Sequence, residues 1–218
     1  FATIKKNYGN ILAEEKWTYE DAIILYKKIP VIPIKNLSLT ASHHLKNITI
    51  CLEILEEIFH LFHLPFEASS FTVGIHKFVL PPFRQQVIHQ SKDLIIINDS
   101  KSTNIHSTIT ALQAFKGGKI TLLMGGVLKG DLKDMREFLW AIHEFIIFGH
   151  SSDKLETFLQ ENNCFNYQKY AKLSSSSLPI PSEGIVLFSP GGASFDEFKN
   201  YKDRGHFFTK KILPLIRV

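Results

Sequence analysis

Leu94–Asn104 reads LIIINDSKSTN. Four consecutive aliphatic residues, Leu94–Ile97, run straight into Asn98, Asp99, Ser100, Lys101, Ser102, Thr103 and Asn104. A short unbroken apolar run of this kind fits a strand buried on both faces. The residues that follow, Ile105, Ile109, Leu112 and Phe115, recur at helical spacing. The polar cluster therefore sits at a strand end, just ahead of a helix N-terminus. In open α/β sheets ligands bind in that crevice, and the unpaired N–H groups of a helix start favour anions. The plainer alternative is an ordinary loop in which Ser102 or Thr103 caps the helix.

The same arrangement recurs twice downstream. Ile120–Met124 leads into Gly125-Gly126 and then Lys129-Gly130; Ile185–Phe188 leads into Ser189-Pro190-Gly191-Gly192-Ala193-Ser194. In a parallel sheet these three strand ends lie along one edge, which predicts a site for an anionic small molecule. A glycine pair lets backbone approach a ligand closely, and Lys129 could neutralise a carboxylate or phosphate. The Gly125 loop is not a P-loop, because GxxxxGK[ST] is absent throughout the chain. Ser194 lacks a G-x-S-x-G elbow, so it is expected to head a helix or touch a ligand rather than act as a nucleophile.

Working outward, a hairpin is expected from Val87-Ile88 and Leu94–Ile97. Helices are expected over Thr103–Phe115 (stopped by Gly117-Gly118), Leu132–His143 and Asp153–Gln160 (capped by Ser152), with a strand over Phe145–Phe148. Upstream, Asn47–His63 has a helical apolar stripe through Ile48, Cys51, Leu52, Leu55, Ile58, Phe59 and Phe62, with Glu53, Glu56 and Glu57 facing away. Phe66–Phe78 reads as a short helix with a turn at Gly74. The first forty residues are strand-rich, with a turn at Asn7–Asn10, and Pro30 and Pro33 mark an edge strand. Leu80-Pro81-Pro82 is a stiff connector. The fold expected is α/β: a Rossmann-like C-terminal domain with a mostly parallel sheet over 83–218, preceded over 1–82 by the tail of another α/β domain.

The 218 residues are 44% hydrophobic, enough for a core, and the net charge is only +4 with histidine neutral. The lysines are scattered, so no nucleic-acid footprint is present. Cys51 and Cys164 have no CxxC partner, and adjacent His43 and His44 do not suit a metal site. The longest apolar stretch, Phe138–Phe148, is too short to span a bilayer and carries His143 and Glu144. Asn47-Ile48-Thr49 and Asn98-Asp99-Ser100 read as chance glycosylation matches. The chain begins at Phe1 in mid-pattern, and the expectation is that an N-terminal part precedes it.

Five ordered motifs carry a family resemblance. They are Leu39-x-Ala41-x-His43-His44-x-x-Asn47; Pro82-Phe83-Arg84-Gln85-Gln86-Val87; Asn98–Asn104; Gly125-Gly126-x-x-Lys129-Gly130; and Ser189-Pro190-x-x-Ala193-Ser194-Phe195-Asp196 continuing through Phe198, Tyr201, Arg204-Gly205 and Phe208. Together they resemble the C-terminal part of the Mur ligases, within them the branch that joins D-glutamate to UDP-N-acetylmuramoyl-L-alanine. Phe83 and Gln86 stand where that family usually has His and Glu, and His44 where it has Asn. The resemblance implies ATP and Mg2+ as cofactors and an acyl phosphate formed on the substrate carboxylate. It also implies a role in peptidoglycan precursor synthesis, a cytoplasmic setting, a monomer, and neither nucleic-acid nor membrane partners. It places residues 1–82 at the end of a central ATP-binding domain. By the same resemblance Asn47 contacts adenine, Arg84 and Asp99 contact the nucleotide with Lys101 beside them, and Thr103, Lys129, Ser194 and the backbone of Tyr201 line the D-glutamate pocket. No catalytic residue is assigned in this segment, and without a P-loop the isolated chain is expected to be inactive. The alternatives are another amino-acid ligase of folylpolyglutamate synthase type, or a non-catalytic nucleotide- or ligand-binding remnant.

Overall fold

The computed structural model describes residues 16–34, 42–115, 119–178 and 180–216. The expected turn at Asn7–Asn10, the motif positions Leu39 and Ala41, and the Gly117-Gly118 stop lie outside them. The chain divides into two compact units between Leu80 and Pro81.

In the first unit, β1 (Trp17–Glu20), β2 (Ile23–Tyr26) and β3 (Ile29–Pro33) form an antiparallel meander in that order. Pro30 and Pro33 lie on β3, an edge, where a missing N–H leaves no ladder bond unmade. The helix α1 spans Ser42–Leu61, starting earlier than its stripe suggests because Leu45 is already buried. Leu45 and Leu52 pack with Trp17, Ile24 and Ile32.

Three expectations fail here. Glu56 does not face away: it is 1% exposed and accepts hydrogen bonds from Trp17 Nε1 (3.0 Å), Tyr26 Oη (2.9 Å) and Lys16 Nζ (3.1 Å). Cys51, Leu55, Ile58 and Phe62, assigned to the buried stripe, are exposed. The helix is rotated because three donors converge on Glu56, and a buried carboxylate is tolerated only when bonded in this way. Nor does Gly74 make a turn: a 3-10 helix at Ala68–Phe71 leads directly into α2 (Thr72–Lys77), which contains it.

The second unit is a seven-stranded sheet. Its strands are β4 (Gln86–Gln90), β5 (Leu94–Asn98), β6 (Ile120–Gly125), β7 (Val127–Leu128), β8 (Ile142–Phe148), β9 (Tyr167–Tyr170) and β10 (Gly184–Ala193). The order is β4-β5-β10-β6-β8-β9, with β7 paired to the end of β10. From β5 to β9 all pairings are parallel; β4 and β7 are antiparallel. The mostly parallel α/β architecture is thus as expected. The helices are α3 (Ile105–Ala114), α4 (Ser152–Glu161) and α5 (Tyr201–Ile212).

Two apolar layers explain the unbroken hydrophobic runs. Ile97, Leu187, Leu122 and Ile147 pack on one face with Ile105, Ile109 and Leu112 of α3 and Leu155 and Phe158 of α4. Ile96, Val186, Leu123 and Ile146 pack on the other with Phe208 and Ile212 of α5. A strand covered on both sides has no polar face to show, so its sequence loses alternation. The rings of Phe188 and Phe208 stack at 4.1 Å between centroids.

Four boundaries differ from expectation; at α4 Ser152 is already helical and Ser151 stands at the N-cap, with no side-chain capping bond. Asn104, rather than Ser102 or Thr103, caps α3, its Oδ1 accepting from Ser107 N at 2.9 Å. The helix expected over Leu132–His143 is a 3-10 helix at Leu132–Ala141, and Ile142 and His143 already belong to β8. Ser194 does not head a helix: its carbonyl accepts from Glu197 N and Phe198 N in a turn, and α5 starts only at Tyr201 behind its cap Asn200. The cap signal lay in Asn200, whose Oδ1 accepts from Lys202 N and Asp203 N. Among the described residues no helix is long and apolar enough to cross a membrane.

Candidate functional site

β5, β10 and β6 are neighbours running in one direction, so their C-terminal ends share an edge. The loops there are tied to one another. Asp99 N donates to Phe188 O (2.8 Å), Gly191 N to Ser102 O (3.1 Å), and Ile105 N to Lys129 O (3.1 Å). Thr108 Oγ1 donates to Ser189 O (3.1 Å) and exchanges a hydrogen bond with Ser102 Oγ (2.8 Å). A fourth loop, after β8, joins through Ser151 N to Gly126 O and through His150 N to Asp196 Oδ2 (2.9 Å).

Asp99 is the buried acid of this rim, 6% exposed. Its Oδ2 accepts from Ser189 Oγ (2.8 Å) and its Oδ1 from Gln85 N (3.1 Å). Burial pushes its carboxyl up to about 7; the Ser189 and Gln85 hydrogen bonds and the charges of Arg84 and Arg204 pull the other way without overcoming it.

The glycine pair works differently from the expectation. A Cβ on Gly125 would meet Phe148 O at 2.1 Å, and one on Gly126 would meet Ala193 O at 2.3 Å. The missing side chains therefore admit neighbouring protein backbone, and they weld strand ends together.

The other sequence-assigned residues fall as follows. Arg84 is exposed in the bend before β4, and its charge acts on Asp99. Lys101 is half-buried, with Nζ 4.7 Å from the Tyr201 ring centroid, so these two are in contact as a cation–π pair. Tyr201 O accepts from Ser100 Oγ (2.8 Å). Thr103 is half-buried in the first loop, Lys129 is exposed in the second and Ser194 is buried at the end of the third. Asn47 is exposed on α1 in the first unit, a separate body from the other seven.

Sequence reasoning quoted Arg204 within the fifth motif but gave it no role. It is 1% exposed, and its guanidinium donates from Nε to Ser100 Oγ (3.1 Å), from Nη1 to Gly192 O (2.9 Å) and from Nη2 to Ser100 O (2.9 Å). Burial brings it down to about 10, opposed by Asp196 and Asp99, so it stays charged at neutral pH. A signal existed: Arg204 lies four and eight residues before Phe208 and Ile212, on the apolar stripe of α5. Asn98 was given no role either. It is wholly buried, its Nδ2 donating to Gly205 O (2.8 Å) and Thr209 Oγ1 (2.9 Å), which also removes it as a glycosylation acceptor. Among the described residues no group of three His, Cys, Asp or Glu side chains could hold a metal ion.

A parallel sheet whose C-terminal edge gathers an acid, hydroxyls and cationic side chains defines an α/β domain, and its fold is similar to that of solved Mur ligases. The chain superposes on MurC from Thermotoga maritima with a TM-score of 0.57 at 12% identity, over 93% of this chain and 46% of that one. For MurF from Acinetobacter baumannii the TM-score is 0.54 at 12% identity, over 90% and 44%.

Sequence comparison is more specific. The chain is 29% identical over 202 residues to UDP-N-acetylmuramoylalanine–D-glutamate ligase of Buchnera aphidicola subsp. Baizongia pistaciae, covering 91% of this chain and 44% of that protein. It is 32% identical over 191 residues to the protein of the same name from Francisella philomiragia, covering 85% and 44%. The chain spans about half the length of the curated relatives it matches. No family model matches it. The chain is a Mur-ligase homologue, matching the C-terminal part of these proteins.

Proposed function

We propose that this chain is the C-terminal portion of an ATP-dependent amide ligase that adds D-glutamate to UDP-N-acetylmuramoyl-L-alanine in peptidoglycan precursor synthesis. The supporting observation is that loop residues 24 to 90 positions apart in sequence are hydrogen-bonded into one rim at the ends of β5, β10 and β6. Pro81–Val218 is read as the amino-acid-binding domain, and the first unit as the tail of the ATP-binding domain, with Asn47 as its adenine contact.

A carboxylate is a poor electrophile until one oxygen becomes a good leaving group. ATP supplies the phosphoryl group that makes it one. The D-glutamate amine then forms the C–N bond, phosphate departs with the C–O electron pair, and the amine gives up a proton. This chain's part is to hold the partners in place. Lys129 carries an ammonium, and Thr103 and Ser194 carry hydroxyls, the donor set that a dicarboxylate requires. Tyr201 shapes the same pocket through its backbone. In this reading Asp99 accepts from a ribose hydroxyl, with Arg84 and Lys101 as the cations on the phosphate side. The sequence contains no P-loop, and no step here runs through Mg2+ or a phosphate cradle. The setting proposed is cytoplasmic, and the protein monomeric.

Calorimetric titration of the 218-residue chain with D-glutamate, L-glutamate, a panel of other amino acids and ADP tests the reading, together with phosphate release in the presence of both substrates and ATP. The expected result is selective D-glutamate binding without turnover. Equal binding of L-glutamate, or preference for another amino acid, would move the assignment to a different ligase branch. Robust turnover by these residues alone would refute the division of labour.

A further inference from the structure

A guanidinium that is 1% exposed needs its donors bonded, because burying a charge without partners is very costly. Arg204 meets that need in an unusual place. Two of its three hydrogen bonds go to the backbone oxygen and hydroxyl of Ser100, in the loop after β5, and the third goes to Gly192 O, near the end of β10. The loop after β6 closes against the same group, since a Cβ on Gly126 would stand 3.0 Å from Arg204 Nη1. Ser100 lies between Asp99 and Lys101, and Gly192 lies two residues before Ser194. Ser100 Oγ in turn donates to Tyr201 O, which returns the chain of bonds to the first turn of α5.

We infer that Arg204 is a positioning residue that holds the nucleotide-side loop, Asp99–Ser102, and the amino-acid-side loop, Gly191–Ser194, in fixed register, so that the two halves of the site order as one. The ligand names rest on the function proposed above; the clamp itself does not. A planar fork serves acceptors on two loops at once, whereas the compact ammonium of lysine on a flexible stem has no such pre-set geometry. The charge survives in Arg204→Lys and the fork does not, so this variant separates the two contributions.

The test uses the 218-residue chain, Arg204→Lys and Arg204→Met. Amide hydrogen exchange is followed in Asp99–Thr103, Gly191–Ser194 and the Phe207–Ile212 half of α5, and D-glutamate and ADP are titrated into each protein. In Arg204→Lys, exchange should rise together in both loops while Phe207–Ile212 keeps its protection. The affinities for D-glutamate and ADP should both fall about tenfold, the equivalent of one lost charge-assisted hydrogen bond. Loosening of one loop alone, or of neither, overturns the inference. So does loosening of both loops with ligand affinities unchanged. If neither ligand binds the parent chain but both loops loosen in the variant, the clamp stands and the proposed function fails. Should both Arg204 variants fail to fold, Ser100→Ala removes one acceptor without disturbing the charge: raised exchange at Gly191–Ser194 supports the clamp, and unchanged exchange there overturns it.

Discussion

Replacing Asp99 with asparagine should make the second unit more stable at alkaline pH, although the residue belongs to the proposed nucleotide site. Burial raises the Asp99 carboxyl from an ordinary 3.8 to about 7. Between those values the unfolded chain has released the proton and the folded chain still holds it. The folded state then binds more protons than the unfolded one, so stability falls as pH rises through this window and levels off above about 7. The raised carboxyl corresponds to about 4 kcal/mol of lost stability once both states are ionised, at 1.36 kcal/mol per pKa unit. Asparagine removes the ionisation and keeps the shape. Its carbonyl can accept from Gln85 N, and its amide can donate to Ser189 Oγ, because a hydroxyl both donates and accepts. Urea unfolding by far-UV circular dichroism, with the first unit as internal reference, should show Asp99→Asn and the parent closely matched at pH 4. By pH 8 the variant should lead by about 2–4 kcal/mol, the lower figure allowing for the charged hydrogen bonds replaced by neutral ones. ADP binding should weaken in the same variant. A stability difference that is flat between pH 4 and pH 8 would refute the reasoning, because it would mean the folded carboxyl ionises in its ordinary range.

In the first unit, Glu56→Ala leaves Trp17 Nε1, Tyr26 Oη and Lys16 Nζ without their shared acceptor and should cost about 3 kcal/mol in chemical unfolding. Burial alone would push the Glu56 carboxyl up, but bonds from Tyr26, Lys16 and Trp17 hold it below the usual range, so its contribution is present above the unfolded pKa and is lost as acid protonates the folded form. Gly205→Ala should lower the melting temperature, although alanine is the better helix former, because its Cβ would lie 2.5–2.9 Å from the Phe83 ring. A loss of about 1–2 kcal/mol by calorimetry is expected; a rise in melting temperature would show that the ring yields freely.

The parallel sheet was legible because Leu94–Ile97, Ile120–Met124 and Ile185–Phe188 are buried on both faces, and that condition leaves an unbroken apolar run in the sequence. The convergence of the loops followed from those strands being parallel neighbours, which is a property of topology and not of any single motif. What periodicity could not deliver was the role of a polar residue inside a stripe. Glu56 was read as solvated and Arg204 was given no role, because whether a charge is buried depends on donors and acceptors thirty or more residues away: Trp17 and Tyr26 for one, Ser100 for the other. The failure at Ile142–His143 has a related cause. The stretch from Leu132 has helical spacing, but the parallel partner β6 claims Ile142, which pairs with Ile120, and long-range pairing overrides local preference.

The order of the sheet has a bearing on biosynthesis. β10, which lies between β5 and β6, follows the other six strands of this sheet in chain order, so until residue 184 has emerged the nascent sheet is two pieces, β4-β5 and β6-β8-β9. Each piece then shows a long aliphatic edge with unpaired N–H and C=O groups, the kind of surface that recruits stray strands. A message truncated between Tyr170 and Gly184 would leave those edges permanently open, and its product should be recovered in aggregates and not as a smaller working domain.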